Sequence, residues 1–184
     1  MKTTSPEINS DTLLNFWFAN EADWFRKNTE FDENILNNFS DLLQKGANGE
    51  LEHWENEAND CLALIILFDQ FPRNMFRDTP KMYSYDDKAL NLTKHAIDKG
   101  FDMKLSTMSH RQFMYMPLMH SESLSEQELC VKLFKTLGSD YAVKYAKDHM
   151  EIIKRFGRFP HRNEILNRES STDEIEFMKT HSGY

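Results

Sequence analysis

Two short strings in this 184-residue chain repeat one another, Phe71-Pro-Arg-Asn74 and Phe159-Pro-His-Arg-Asn163, the second carrying one extra histidine. Each follows an apolar run, and each presents an arginine directly after a proline-containing break. Asp69 and Arg73 stand four apart, so they share a face if a helix persists across Pro72, and Arg77 follows one turn later. A guanidinium fork grips a carboxylate or phosphate with two parallel hydrogen bonds, which makes such a cluster a candidate anion site. The rival reading is structural: Arg73 and Asn74 satisfy carbonyls left open where a buried helix stops.

The second string lies in the most basic stretch of the chain. From Lys154 to Arg168 five side chains are basic and Glu164 alone is acidic, within a protein whose formal net charge is -8. Gly157 and Pro160 break the helix there, so Arg155, Arg158 and Arg162 need not point apart. They either meet an anion or pair with the acidic N-terminal third, where residues 1–60 hold 13 acidic and 4 basic side chains.

A third cluster is Met119-His120-Ser121-Glu122, after Pro117. Neighbouring side chains on a helix diverge, and no Gly-x-Ser-x-Gly turn presents the serine, which gives a hydrolase triad little support. His120 and Glu122 either cap the next helix or face an arginine pocket. No metal or cofactor is expected: Glu50 and His53 have Glu-x-x-His spacing once, in a loop, and HExxH is absent. The methionines at 103, 108, 114, 116 and 119 read as adaptable core packing.

The elements that must position these residues read as helices. With 6 Gly and 5 Pro there are too few turn residues for many short strands, and 40% hydrophobic content suffices for one core in a single domain over 1–184. Residues 1–10 read as a loosely ordered N-terminal segment. Ser10 or Asp11 caps a first helix through Phe18, and Phe31, Ile35, Phe39, Leu42 and Leu43 mark an amphipathic second, closed by Gly46 or Gly49. Asn48 to Asp60 reads as a connection around Trp54. Cys61–Phe68, eight apolar residues, suits a buried strand or a helix buried all round. Its Leu and Ala content, an Asn59/Asp60 cap and the lack of a partner strand favour the helix. Thr79-Pro80 opens a helix to Gly100, and others span about Ser109–Met119, Ser123–Leu137 (a Ser123/Glu126 capping box) and Asp140–Phe156. Ser171 or Thr172 opens a short last one. The fold class is therefore all-α, an antiparallel array of seven to nine helices.

Cys61 and Cys130 read as buried free thiols, and no apolar run approaches the ~20 residues of a membrane span. A cytoplasmic protein with no membrane partner is expected. The acidic balance also disfavours nucleic acid, whose affinity comes largely from counterion release by basic side chains. Oligomeric state stays open.

With these strings in view, the chain resembles a largely bacterial family, the domain of unknown function numbered nine-two-four. The resemblance runs from about Leu13 to Phe177, through Phe16-Trp-Phe18, Trp24-Phe25, Gly49-Glu-Leu51 with Trp54, Leu67 to Asn74, Met116 to Glu122 and Arg155 to Asn163. It implies a tetratricopeptide-like helical fold and no particular activity, although the tetratricopeptide consensus itself does not recur in the chain. Asn167 stands where members tend to carry glycine.

The expectation is a non-catalytic binding domain. Its concave surface gathers Arg73, Arg77, Arg155, Arg158 and Arg162, with Asp69, Asn74, His120, Glu122, His161 and Asn163, around a small anion or an acidic peptide. One alternative is an enzyme for a small anionic substrate with Glu122 or Asp69 as general base. Another makes the clusters purely structural.

Overall fold

A computed structural model describes residues 8–181 and 183. Asn9 accepts the Thr12 N–H at 2.9 Å and opens α1 (Ser10–Ala19). Of the expected loose N-terminal segment, residues 1–7 lie outside the described residues, whereas Asn9 and Ser10 belong to this cap and first turn. Asn28 caps α2 (Thr29–Ala47), whose stripe Phe31, Ile35, Phe39, Leu42 and Leu43 is buried. The stretch expected as a plain connection holds a 3-10 turn, Glu52–Asn56, that buries Trp54.

Cys61–Phe68 is helical, within α3 (Ala58–Asp69), which packs against α1 and α2 and against every helix from α4 to α6 defined below. Such enclosure explains why it is apolar on all faces. It starts after Glu57 rather than at the expected Asn59/Asp60 cap and has no side-chain cap at all. A cap contributes only about 1 kcal/mol. Burying one Leu or Ile contributes about 1.5–3 kcal/mol, so packing outweighs the missing N-terminal cap of α3. A new short turn, α4 (Phe71–Met75), follows at once, and Pro72 stands at its second position, inside the first turn, where a missing N–H removes no helical hydrogen bond.

Thr79-Pro80 opens only a 3-10 turn, Pro80–Tyr83, and the helix expected to run on from it begins instead at Asp86 as α5 (Asp86–Asp98). Next come α6 (Met108–His120), capped by Thr107, and α7 (Leu124–Lys135). The Ser123/Glu126 capping box does not form: Ser123 Oγ meets Ser125 Oγ at 2.9 Å, and Glu126 pairs with Lys94. A capping box does occur at Ser171/Glu174, at the start of α9 (Thr172–Met178). Between them lies α8 (Asp140–Phe156), ended by Gly157 at φ 70.

Among the described residues there are nine α-helical segments and no strand. Helices α5 to α8 pack each on the next through short connections, the up-and-down arrangement of an antiparallel array. A satellite cluster of Ile152, Ile153 and Phe159, with Phe156 and Phe177 against it, seats the C-terminal segment. Asn167 has φ 53, a left-handed conformation in which glycine is at ease and asparagine is among the better-tolerated side chains.

Candidate functional site

Two buried helices stop close together, α3 at Asp69 and α6 at His120, and a helix end needs partners for its last carbonyls. The repeated strings supply them. The guanidinium of Arg73 donates to the Asp69 carbonyl, and Arg162 Nη2 donates to the His120 carbonyl at 2.8 Å. Gln127 Nε2 adds bonds to the carbonyls of Met119 (2.6 Å) and Ser121 (2.8 Å). Phe71 and Phe159, the first residue of each string, are wholly buried and anchor the two arginines.

Around these helix ends lies a pocket of about 240 Å³. Arg26, Lys27, Arg73, Arg77 and Arg162 line it, with His120, His149, His161, Tyr83, Tyr145, Trp24, Phe25 and Phe159. Gln70, Asn74 and three methionines complete the wall, and among the described residues no Asp or Glu is part of it.

The neutralising carboxylates stand behind that wall. Asp86 accepts two bonds from Arg73, at 2.9 and 3.0 Å, and Asp32 accepts two from Arg77, both at 2.8 Å. Arg162 is held less directly: its Nη1 is 3.6 Å from Asp86, and its Nε is buried without a partner. Its guanidinium lies 4.7 Å from the ring centroid of Tyr83 and 4.6 Å from that of Phe159, so cation–π contact takes part of the charge. Burial, and then the charge of Arg73, lower the pKa of Arg162, whereas for Arg73 the opposing burial is outweighed by Asp69 and Asp86, which raise its own.

Asp69 is 1% exposed, and its Oδ1 lies 2.6 Å from His120 Nδ1. Burial works against the Asp69 charge, but His120 and Arg73 prevail and hold its carboxyl below the ordinary range. Burial and Arg73 push His120 down despite Asp69. The pair is therefore carboxylate plus neutral imidazole, with Nδ1–H donating to Asp69. The other ring nitrogen, Nε2, has no partner among the described residues, and the ring lines the pocket at 16% exposure. Burial also keeps His149 neutral, down to about 3, and His161, down to about 4.

Of the residues singled out from sequence, Arg73, Asn74, Arg77, His120, His161 and Arg162 share this wall, and Asp69 lies directly behind it. Four do not line it. Arg155 is exposed on α8, its guanidinium 4.6 Å from the ring centroid of Phe156. Arg158 is forked onto Glu174 at 2.7 and 2.8 Å, a pairing the capping box of α9 holds in place. Glu122 accepts the Phe159 N–H at 2.8 Å and two bonds from Arg168 at 2.7 and 2.9 Å. Asn163 accepts from Arg168 Nε at 2.9 Å and donates to Ser170 at 3.0 Å. Glu122, Asn163 and Arg168 thus brace the loop behind the pocket.

Sequence reasoning missed Asp32, Asp86, Tyr83, Tyr145 and His149. Tyr145 and His149 are four apart on α8, a spacing that puts them on one face and was available. Asp86 and Asp32 carry no such signal, being acidic residues in the first turn of a helix like many others. Among the described residues no group of three or more His, Cys, Asp or Glu stands together to hold a metal ion.

A family model described as "Bacterial protein of unknown function (DUF924)" matches residues 13–182. A solved structure, titled as that of the protein of unknown function ATU0120 from Agrobacterium tumefaciens, is similar at 36% identity and a TM-score of 0.89. The match covers 94% of this chain and 97% of that one. No curated protein matches the chain.

Proposed function

The chain belongs to the DUF924 family of bacterial proteins, and from the pocket just built we propose that it binds a small anionic ligand between the ends of α3 and α6. The observation that carries this reading is the sidedness of the charge: among the described residues five cationic and no acidic side chains line the hollow, and the carboxylates that pair with Arg73 and Arg77 are set behind them. An ion pair with its positive end towards a cavity leaves a favourable potential there for an anion. Arg162, the least neutralised of the three buried or half-buried arginines, is the residue on which recognition turns. The aromatic rim of Trp24, Phe25, Tyr83 and Tyr145 suits an apolar or planar part of the same ligand. A hollow of about 240 Å³ favours a small molecule over an acidic peptide.

Calorimetric titration at low salt with succinate, inorganic phosphate and an acidic peptide tests it. Saturable binding of a small anion that weakens with salt and is lost in Arg162→Ala supports the reading; no heat with any of them overturns it.

The bonds from Arg73 to Asp86 and from Arg77 to Asp32 favour a second reading, in which the clusters are purely architectural and tie α4 and the turn after it to α5 and α2. Under it, Arg162→Ala lowers Tm and no anion raises the Tm of the native protein. We also read the helical array as tetratricopeptide-like and the protein as cytoplasmic. Supporting these are the packing of consecutive helices from α5 to α8 and two buried free cysteines, Cys61 and Cys130. No helix of the described residues is long and apolar enough to cross a membrane.

A further inference from the structure

Resting on that reading of the pocket, we propose that it is also a hydrolytic site, in which His120 takes a proton from water to open a small acyl ester that carries a negative charge. Asp69 is its positioning residue. The geometry comes first. A carboxylate sealed from solvent accepts the Nδ1–H of a half-buried imidazole at 2.6 Å, which fixes the ring and its tautomer and leaves the Nε2 lone pair without a partner among the described residues. Neither Glu122 nor Asp69 can serve as the base: Glu122 is occupied by Arg168 and the Phe159 amide away from the pocket, and Asp69 stands behind the imidazole.

The attacking group follows from what the wall lacks. Among the described residues no serine, threonine or cysteine lines the pocket, and both thiols lie in the core, with burial pushing Cys61 up to about 12. Water is then the nucleophile. Its proton goes to His120 Nε2 as its oxygen bonds to the acyl carbon. The bond from that carbon to the alcohol oxygen then breaks, and the departing oxygen takes the proton back from Nε2. A carboxylic acid and an alcohol leave, and His120 returns to its starting form. Negative charge on the acyl oxygen develops beside Arg162, which is bonded to the His120 carbonyl and thus fixed relative to the base. A carboxylate on the substrate is held by the cationic wall. Acyl rather than phosphoryl transfer fits because among the described residues no carboxylate faces the hollow to hold the divalent cations that kinase-type and NTPase-type phosphoryl transfer uses.

The test uses the purified full chain with p-nitrophenyl hemisuccinate, its neutral counterpart p-nitrophenyl acetate, and succinate as the inert probe. Expected are turnover of the charged ester well above the neutral one, a loss of about 10²–10⁴-fold in His120→Gln, and a fall in kcat with little change in KM in Asp69→Asn. A pH–rate profile whose acid limb moves in Asp69→Asn separates positioning from mere loss of fold. Because His120→Gln has its own packing cost, diethylpyrocarbonate labelling of the native protein provides a second arm: inactivation should track His120 modification and be slowed by succinate. If succinate binds but the charged ester is not hydrolysed, or if hydrolysis survives loss of His120, the hydrolytic proposal falls and the binding reading stands. If neither succinate nor phosphate nor the acidic peptide binds and nothing is hydrolysed, both fall.

Discussion

Asp69 and His120, 51 residues apart in the chain, meet at 2.6 Å and join the last turn of α3 to the last turn of α6. Asp69 also lies 3.6 Å from the Arg73 guanidinium, so one carboxylate serves two buried partners. Removing it leaves the buried imidazole donor without its acceptor and Arg73 with Asp86 alone, and Asp69→Ala should cost about 3 kcal/mol. Asp69→Asn keeps the shape and should cost about 1–3 kcal/mol. Urea unfolding curves measure both, and a change below 1 kcal/mol in the alanine variant contradicts the pairing.

Arg162→Ala removes the cap on the His120 carbonyl and the stacking on Tyr83 and Phe159. A loss of about 3 kcal/mol or more is expected. Arg162→Lys restores a charge without the planar fork, so it should recover some stability but little anion affinity. Thermal melts with and without succinate read both properties.

Glu122→Gln should act on stability alone. It weakens the clamp from Arg168 and the Phe159 amide, at about 1–3 kcal/mol, while no side chain that lines the pocket is replaced. Calorimetry should return the native affinity for succinate once the variant is shown to be folded.

Acid should weaken the fold in two stages. His149 and His161 stay neutral down to about 3 and about 4, chiefly through burial. Around His149 stand the Tyr145 carbonyl, His120, His161 and Arg162. An unfolded histidine takes its proton near pH 6.5. Between 6.5 and about 4 the unfolded chain thus binds more protons than the folded one, and stability declines as pH falls. Lower down, Asp69, Glu122 and Glu174, all held below the ordinary carboxylate range, add their loss as pH falls from about 4.5. Denaturation midpoints at pH 7.5, 6 and 5 should decrease in order, and His149→Gln should flatten the decline above pH 5.

Gly157→Ala tests the turn that separates α8 from the second arginine string. At φ 70 an alanine is strained by about 1–2 kcal/mol, and nothing lies within 4 Å to add a clash. The expected loss is therefore in backbone strain alone, read from the melting temperature.

The helices were legible because their burial pattern is periodic or, for Cys61–Phe68, continuous, and the similarity of the two Phe-Pro strings pointed to a common site. Arg73 and Arg162 do meet, beside Tyr83 and Asp86. Arg155 and Arg158 were misjudged because local charge says nothing of direction: Gly157 redirects the chain, and Glu174 then takes Arg158. Thr79-Pro80 misled for a similar reason, since proline sets one φ but cannot decide whether the turn goes on as an α-helix. The carboxylates behind the wall were invisible because their pairing is purely tertiary.

One contact also bears on how the molecule is born. The carbonyl that closes α6 is held by Arg162, and Phe159 forms part of the same wall, both from the stretch after α8. A polypeptide still under synthesis with only its first eight helices made has an unfinished cavity and an open helix end. On the anion-binding reading, competence to take up a ligand therefore arrives late in translation, and truncation after α8 should remove it.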